Sequence, residues 1–151
     1  MPVAEGAMAD RLEIANDLGE LARMSGWLLD RAAAAGIEAS LLPRLDLCAN
    51  EAAENIIRHA FPPGAPHSIT IELSRTPAGA ELRISDDGRP FDPLSLPDPV
   101  RPASLAEARI GGLGVHLMRS MASRCVYARE GAYNVLVLEV ATMPGAAAAG
   151  E

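Results

Sequence analysis

Three segments in fixed order constrain this chain more than any property of the whole: NEAAENIIRHAF from Asn50 to Phe61, SDDGRPFD from Ser85 to Asp92, and IGGLGVHL from Ile110 to Leu117. The first has helical period, the second ends a strand in a tight glycine turn, and the third is a glycine-rich entry into another helix. A fold using all three brings a helix edge, a strand end and a helix N-terminus together. That combination predicts a nucleotide pocket in an α/β domain.

The first segment belongs to a helix expected over roughly Leu41 to Phe61 and stopped at Pro62-Pro63. At about 100° per residue, Leu41, Leu45, Cys48, Ala52 and Ile56 form its buried stripe, with Glu51 and Asn55 along one edge. Asn50 and Glu54 are assigned to the outward face, so Glu51 and Asn55 are the better site pair. Arg44 and Arg58 share the side of Glu51, where either could pair with it; solvated side chains are the simpler expectation. His59, in the last turn beside Ala60 and Phe61, reads as a structural histidine rather than a catalytic one.

Before this helix, Arg11 to Ala15 reads as a short strand. Asn16 or Asp17 can then cap a helix whose apolar positions are Leu18, Leu21, Leu28 and Ala32 and which ends at Gly36. After it, HSITIELSR and AELRISDD alternate with period two and turn at Pro77 to Gly79, as a hairpin does. Period two places Leu82, Ile84 and Asp86 on one face and Asp87 on the other. Asp86 thereby becomes an acid at the end of a buried row, a position that demands donors.

From Pro90 to Arg109 the chain carries five prolines and no sustained period before Ser104, so a long loop or lid is expected, mobile without a ligand. A helix should follow the glycines, with Val115, Leu117, Met118 and Met121 as its apolar positions. Two closing strands, about Arg124 to Arg129 and Tyr133 to Ala141, are divided by a turn at Glu130-Gly131. The domain is bounded at residues 11–142, between an expected flexible N-terminus (residues 1–10) and an expected flexible tail (residues 143–151).

Composition narrows the function. All thirteen basic residues are Arg and the net charge is −7, which argues against a broad nucleic-acid surface. Without Lys there is no P-loop, because that site needs a Lys to reach the phosphates. Cys48 and Cys125 lack zinc-site spacing and read as buried thiols. No stretch reaches membrane-spanning length, and the start of the chain has neither a basic nor a long apolar run. A cytoplasmic protein is expected.

Glu51, Asn55, Asp86 and the glycines stand in the order used by the GHKL superfamily of ATP-binding domains, the Bergerat fold. DDGRPFDP and GGLGVHL most resemble the stand-alone anti-sigma factor serine/threonine-protein kinases of bacteria, over about residues 11–142. The resemblance implies a two-layer α/β sandwich: one mixed, mostly antiparallel sheet with helices on one face. It implies that Asp86 accepts a hydrogen bond from the adenine amino group and that Gly88 lets the backbone pass beneath the base. Asn55 would coordinate Mg²⁺ and Glu51 would orient or deprotonate the attacking hydroxyl. Gly112, Leu113 and Gly114 would offer backbone N–H groups to the phosphates of ATP, with Arg109 beside them. Two positions depart from the superfamily pattern, Pro90 where another Gly is common and Asn134 where a Thr often stands near the adenine.

The activity so implied is phosphorylation of a STAS-domain anti-anti-sigma protein, with a sigma factor or analogous regulator as the alternative partner and a possible homodimer. Two rivals differ in class. One is a nucleotide-gated module that sequesters a regulatory partner without turnover; the other is a small GHKL ATPase. A retained Glu51 favours a kinase over the first, and the absence of large coupled domains weakens the second.

Overall fold

The computed structural model describes residues 9–62, 64–95 and 118–142. Five strands form one sheet in the order β1-β2-β3-β5-β4: β1 Asp10–Ala15, β2 Ser68–Arg75, β3 Gly79–Asp86, β4 Arg124–Glu130 and β5 Tyr133–Ala141. The sheet, expected to be mixed and mostly antiparallel, is antiparallel in all four ladders among the described residues. Among the described residues, α1 (Leu21–Ala34), α2 (Leu42–His59) and a helical segment at residues 118–121 supply the second layer.

One core joins the layers. Met24, Leu28 and Ala32 of α1 and Leu45, Cys48, Ala49, Ala52, Ala53 and Ile56 of α2 are buried against alternate residues of the sheet. From β2 these are Ile69, Ile71 and Leu73; from β3, Ala80, Leu82 and Ile84; from β5, Leu136, Leu138 and Val140. The intervening residues, such as Thr70, Glu72 and Arg83, turn to the opposite face, as the two-residue period of a strand requires.

Local chemistry explains the element ends. Asp17 caps a 3-10 turn, Leu18–Glu20, by accepting from the Gly19 N–H. The expected first helix therefore starts later, at Leu21, and Leu18 lies outside the core at 40% exposure, while Met24 takes a core place. The helix closes in a Schellman motif at Gly36 (φ 80°), where Gly36 N–H bonds to Ala33 and Ile37 N–H to Ala32. In α2, Leu41 is buried as expected, although it sits in the preceding 3-10 turn, Ala39–Leu41. That helix ends at His59, two residues before Phe61. The β4–β5 turn places Gly131 at φ 63°, as a two-residue hairpin loop demands of its first central residue.

Two expectations about α2 are corrected by its neighbours. Asn50 does not face outward: its amide bonds to Ser25 of α1 at 2.8 Å and to the Asp46 carboxylate at 3.0 Å, because α1 lies along that side. Arg44 is not solvated either, since its guanidinium donates to the carbonyls of Ala141 (2.7 Å) and Met121. It ties the start of α2 to the end of β5.

Among the described residues no helix is long and apolar enough to cross a membrane. The proposed flexible ends lie outside the described residues, apart from residues 9 and 10. Most of the expected lid does too: Pro90–Ser95 are described, ending in a 3-10 turn at Pro93–Ser95.

Candidate functional site

The site is built where the C-terminal end of α2 meets the turn after β3. The sheet register sets one row of side chains on the helix-covered face, in which Ile14 opposes Ile69, Ile69 opposes Asp86, Asp86 opposes Asn134, and Asn134 opposes Arg129. The row begins apolar and becomes polar at β3. Asp86 is 2% exposed and Asn134 4% exposed, so both had to find partners within the protein.

Asp86 finds them on one oxygen. Its Oδ1 accepts from the Gly88 N–H at 2.8 Å and from Asn134 Nδ2 at 2.9 Å. Its Oδ2 is buried and has no hydrogen-bond partner among the described residues. Burial pushes the Asp86 carboxyl above its ordinary range, only partly offset by those two donors. An unpaired oxygen on such a group is costly unless a ligand completes it. Asp87 points away, as alternation requires, and meets His67 at 3.1 Å on the exposed side.

Gly88 is required by contact. A Cβ there would lie 2.4 Å from the Ala60 carbonyl oxygen and 2.9 Å from Asp86 Oδ1. The turn is pressed this close to α2 because Arg89 satisfies the helix end: its N–H donates to Ala60 O (2.9 Å) and its Nε to His59 O (2.8 Å). The helix C-terminus gains both a donor and a positive charge. His59, whose ring lies 5.3 Å from that of Phe91, packs against the same turn, in keeping with a structural role.

From this anchor α2 runs back along the site. At 1.5 Å rise per residue, Asn55 lies about 7 Å and Glu51 about 13 Å along the axis from Ala60. Both therefore share one edge at increasing distance from Asp86. Asn55 is 5% exposed, and its side chain has no hydrogen-bond partner among the described residues. Glu51 is half-buried, and its carboxyl is pushed up first by desolvation and then by Glu54. Neither arginine on that side neutralises it: Arg44 binds backbone carbonyls, and Arg58 pairs with Glu54 at 2.9 Å. A raised, unpaired carboxylate at a helix edge has the character of a general base.

Cys48, one turn before Glu51, is inert by comparison. Burial pushes its thiol up to about 12, and its Sγ faces the Met118 carbonyl. Arg109, Gly112, Leu113 and Gly114 lie outside the described residues; the described chain resumes in a helical segment at residues 118–121, where Met118 is fully buried. Among the described residues no group of three His, Cys, Asp or Glu side chains could hold a metal ion.

The family model of the histidine kinase-like ATPase domain matches residues 14–140. The chain belongs to that family. Within it, this domain is 39% identical over 100 residues to the serine/threonine-protein kinase BtrW of Bordetella bronchiseptica, covering 66% of this chain and 70% of that protein. It is 31% identical over 94 residues to the serine-protein kinase RsbW of Listeria innocua, covering 60% of each. Its fold is similar to a crystal structure of the RsbU and RsbW domains of a Mycobacterium tuberculosis protein, with a TM-score of 0.55 at 12% identity over 88% of this chain and 33% of that one. The α/β sandwich of the GHKL class is thereby established for this ATPase-like domain.

Sequence reasoning placed Asp86 in its buried row and noted Asn134 where a Thr often stands near the adenine, but it did not pair the two or assign a part to Tyr127 or Arg129. A signal was available. Counting back along β5 from its buried residues Val140, Leu138 and Leu136 reaches Asn134 on the same face, and a hairpin at Gly131 sets Arg129 opposite it. What alternation could not supply was the pairing of β5 with β3, which is a choice of topology.

Proposed function

We propose that this domain is an ATP-dependent serine/threonine-protein kinase of the partner-switching type, phosphorylating a STAS-domain anti-anti-sigma protein and alternatively holding a sigma factor or analogous regulator. The observation that carries this reading is the lone unpaired oxygen of buried Asp86, an acceptor matched to an exocyclic amine, at one end of a helix edge bearing Asn55 and Glu51. The names of the relatives, serine/threonine-protein kinase and serine-protein kinase, support the reaction class.

In this scheme Asp86 binds the adenine, and Gly88 keeps the turn narrow enough to reach it. Asn55 offers an amide oxygen, a hard donor suited to Mg²⁺. Since no acidic cluster competes among the described residues, the phosphates of ATP would complete the coordination, and the metal when bound would offset their charge. Glu51 orients the serine hydroxyl and accepts its proton. Arg109 and the backbone of Gly112, Leu113 and Gly114 serve the phosphate side, where a helix N-terminus favours an anion. Residues 11–142 form the kinase domain, acting in the cytoplasm where ATP is supplied.

The test is single-turnover transfer of labelled phosphate from ATP to the cognate STAS partner. Wild type should transfer to a serine or threonine of that partner. Glu51→Gln should retain nucleotide and partner binding while lowering transfer by about 10²-fold or more, the loss expected of a general base. Equal rates would remove Glu51 from catalysis. Tight nucleotide binding without transfer by wild type would replace the kinase with a nucleotide-gated binding module.

A further inference from the structure

Every polar atom of the Asn134 side chain is committed inside the protein. Its Nδ2 spends both protons, one on Asp86 Oδ1 at 2.9 Å and one on the Arg89 carbonyl at 2.8 Å. Its Oδ1 accepts from Tyr127 OH at 2.6 Å, Phe91 N–H at 3.1 Å and Arg129 Nη1 at 3.2 Å. Arg129 is held in turn by donating to the Gly88 carbonyl at 2.9 Å. The amide thus joins four pieces of chain: β3, β4, β5 and the turn through Arg89 and Phe91.

Two consequences follow from this saturation. A fully committed amide has no donor left for a bound base, so its effect on nucleotide passes through the groups that it holds, Asp86 first among them and then the turn through Arg89 and Phe91. Conversely, Asp86 has its Oδ1 doubly occupied and its Oδ2 empty-handed, a division that exists only while Asn134 holds its place. We propose that Asn134 is the positioning residue of the base pocket: braced by Tyr127 and Arg129, its amide occupies Asp86 Oδ1 and leaves Oδ2 as the acceptor presented to the exocyclic amine of an adenine nucleotide. This rests on the nucleotide-binding reading of Asp86 given above.

The geometry distinguishes this role from generic packing through Asn134→Asp. That change keeps the shape and the acceptor but removes both donors, and it sets a second carboxylate against Asp86 Oδ1. Two carboxylates so close share a proton, and the shared proton restores the missing hydrogen bond. The charged or titratable groups beside the pair are Arg129 and Tyr127; Asp87, on the opposite face with His67 beyond it, acts on Asp86 only through its charge. ADP affinity of this variant should therefore rise as pH falls. In the wild type, protonation of Asp86 itself can only weaken binding, so its dependence should be flat or of opposite sign.

Calorimetric titration of the full chain with ADP tests the proposal. Asn134→Leu should weaken ADP by about tenfold or more, the scale of one lost hydrogen bond to a charged group. In an Asp86→Asn background the same change should cost less than about twofold, because coupled residues lose additivity. Should Asn134→Leu fail to fold, Tyr127→Phe removes one brace and leaves the amide in place; about a threefold loss is expected, again absent beside Asp86→Asn. Losses within twofold for these variants, a loss undiminished in the Asp86→Asn background, or no acid recovery in Asn134→Asp would each overturn the role of Asn134 while leaving nucleotide binding intact. A wild type that fails to bind ADP would overturn both.

Discussion

Asp86 carries a conflict between stability and function. Its carboxyl is raised by burial, so the folded state favours the protonated form. The penalty for ionisation is absent below the unfolded value, near 3.8, grows as pH rises through the folded value, and is fully present at neutral pH. Asp86→Asn should therefore raise the melting temperature of the ligand-free protein at pH 7 while lowering ADP and ATP affinity by about 1–3 kcal/mol, the worth of a charge-assisted bond. Thermal melts at pH 7 and at pH 3.5, with calorimetry, check both halves; a variant less stable than wild type at pH 7 would contradict the first. Glu51 obeys the same sign. Its raised carboxyl means that the acid limb of phosphoryl transfer should lie above the ordinary carboxylate range near 4.5, and that limb should vanish from the residual rate of Glu51→Gln.

At the scale of elements, the contact between the β3 turn and the end of α2 aligns the site. Gly88 has no room for a methyl group because Ala60 fills it, and Arg89 holds the turn there by binding two helix carbonyls. Gly88→Ala should destabilise the domain by about 1–3 kcal/mol through overpacking against backbone, measured by denaturant unfolding. Arg89→Ala should cost less in stability yet speed hydrogen exchange in the last turn of α2, since the His59 carbonyl loses its charged cap while the backbone N–H of residue 89 keeps its bond to Ala60. Unchanged exchange there would show that the turn is held by Asn134 and Gly88 alone. Helix α2 itself was readable from period, because its buried stripe is continuous. The sidedness of Asn50 and Arg44 was not, because it depends on α1, β5 and the 118–121 helix passing nearby.

At the scale of the whole molecule, a net charge of −7 borne with no Lys predicts an association steered by an opposite charge. Binding of the proposed STAS partner should slow as ionic strength rises from about 50 to 500 mM, while dissociation changes little. Stopped-flow association rates measure this, and a flat salt dependence would separate recognition from the acidic surface. Nucleotide should also stabilise the fold as a unit. With ADP at about 100 times its dissociation constant the gain is roughly 2.7 kcal/mol, and it should be strongly reduced in Asp86→Asn.

The linear order of residues was enough to place this domain in its class through the resemblance carried by its three motifs, and alternation, helical period and glycine turns set its elements, because these are local properties that survive without a partner. It also placed Asp86 in a buried row and Glu51 with Asn55 on one edge, since each placement needs only the periodicity of its own element. The tertiary structure decided the rest. Which oxygen of Asp86 is spoken for, why Gly88 cannot carry a side chain, and how Asn134 comes to donate to Asp86 all depend on strands and helices distant in sequence. Those contacts arise from the β3–β5 pairing and from the seating of the turn on α2, and no local pattern encodes a distance between two elements.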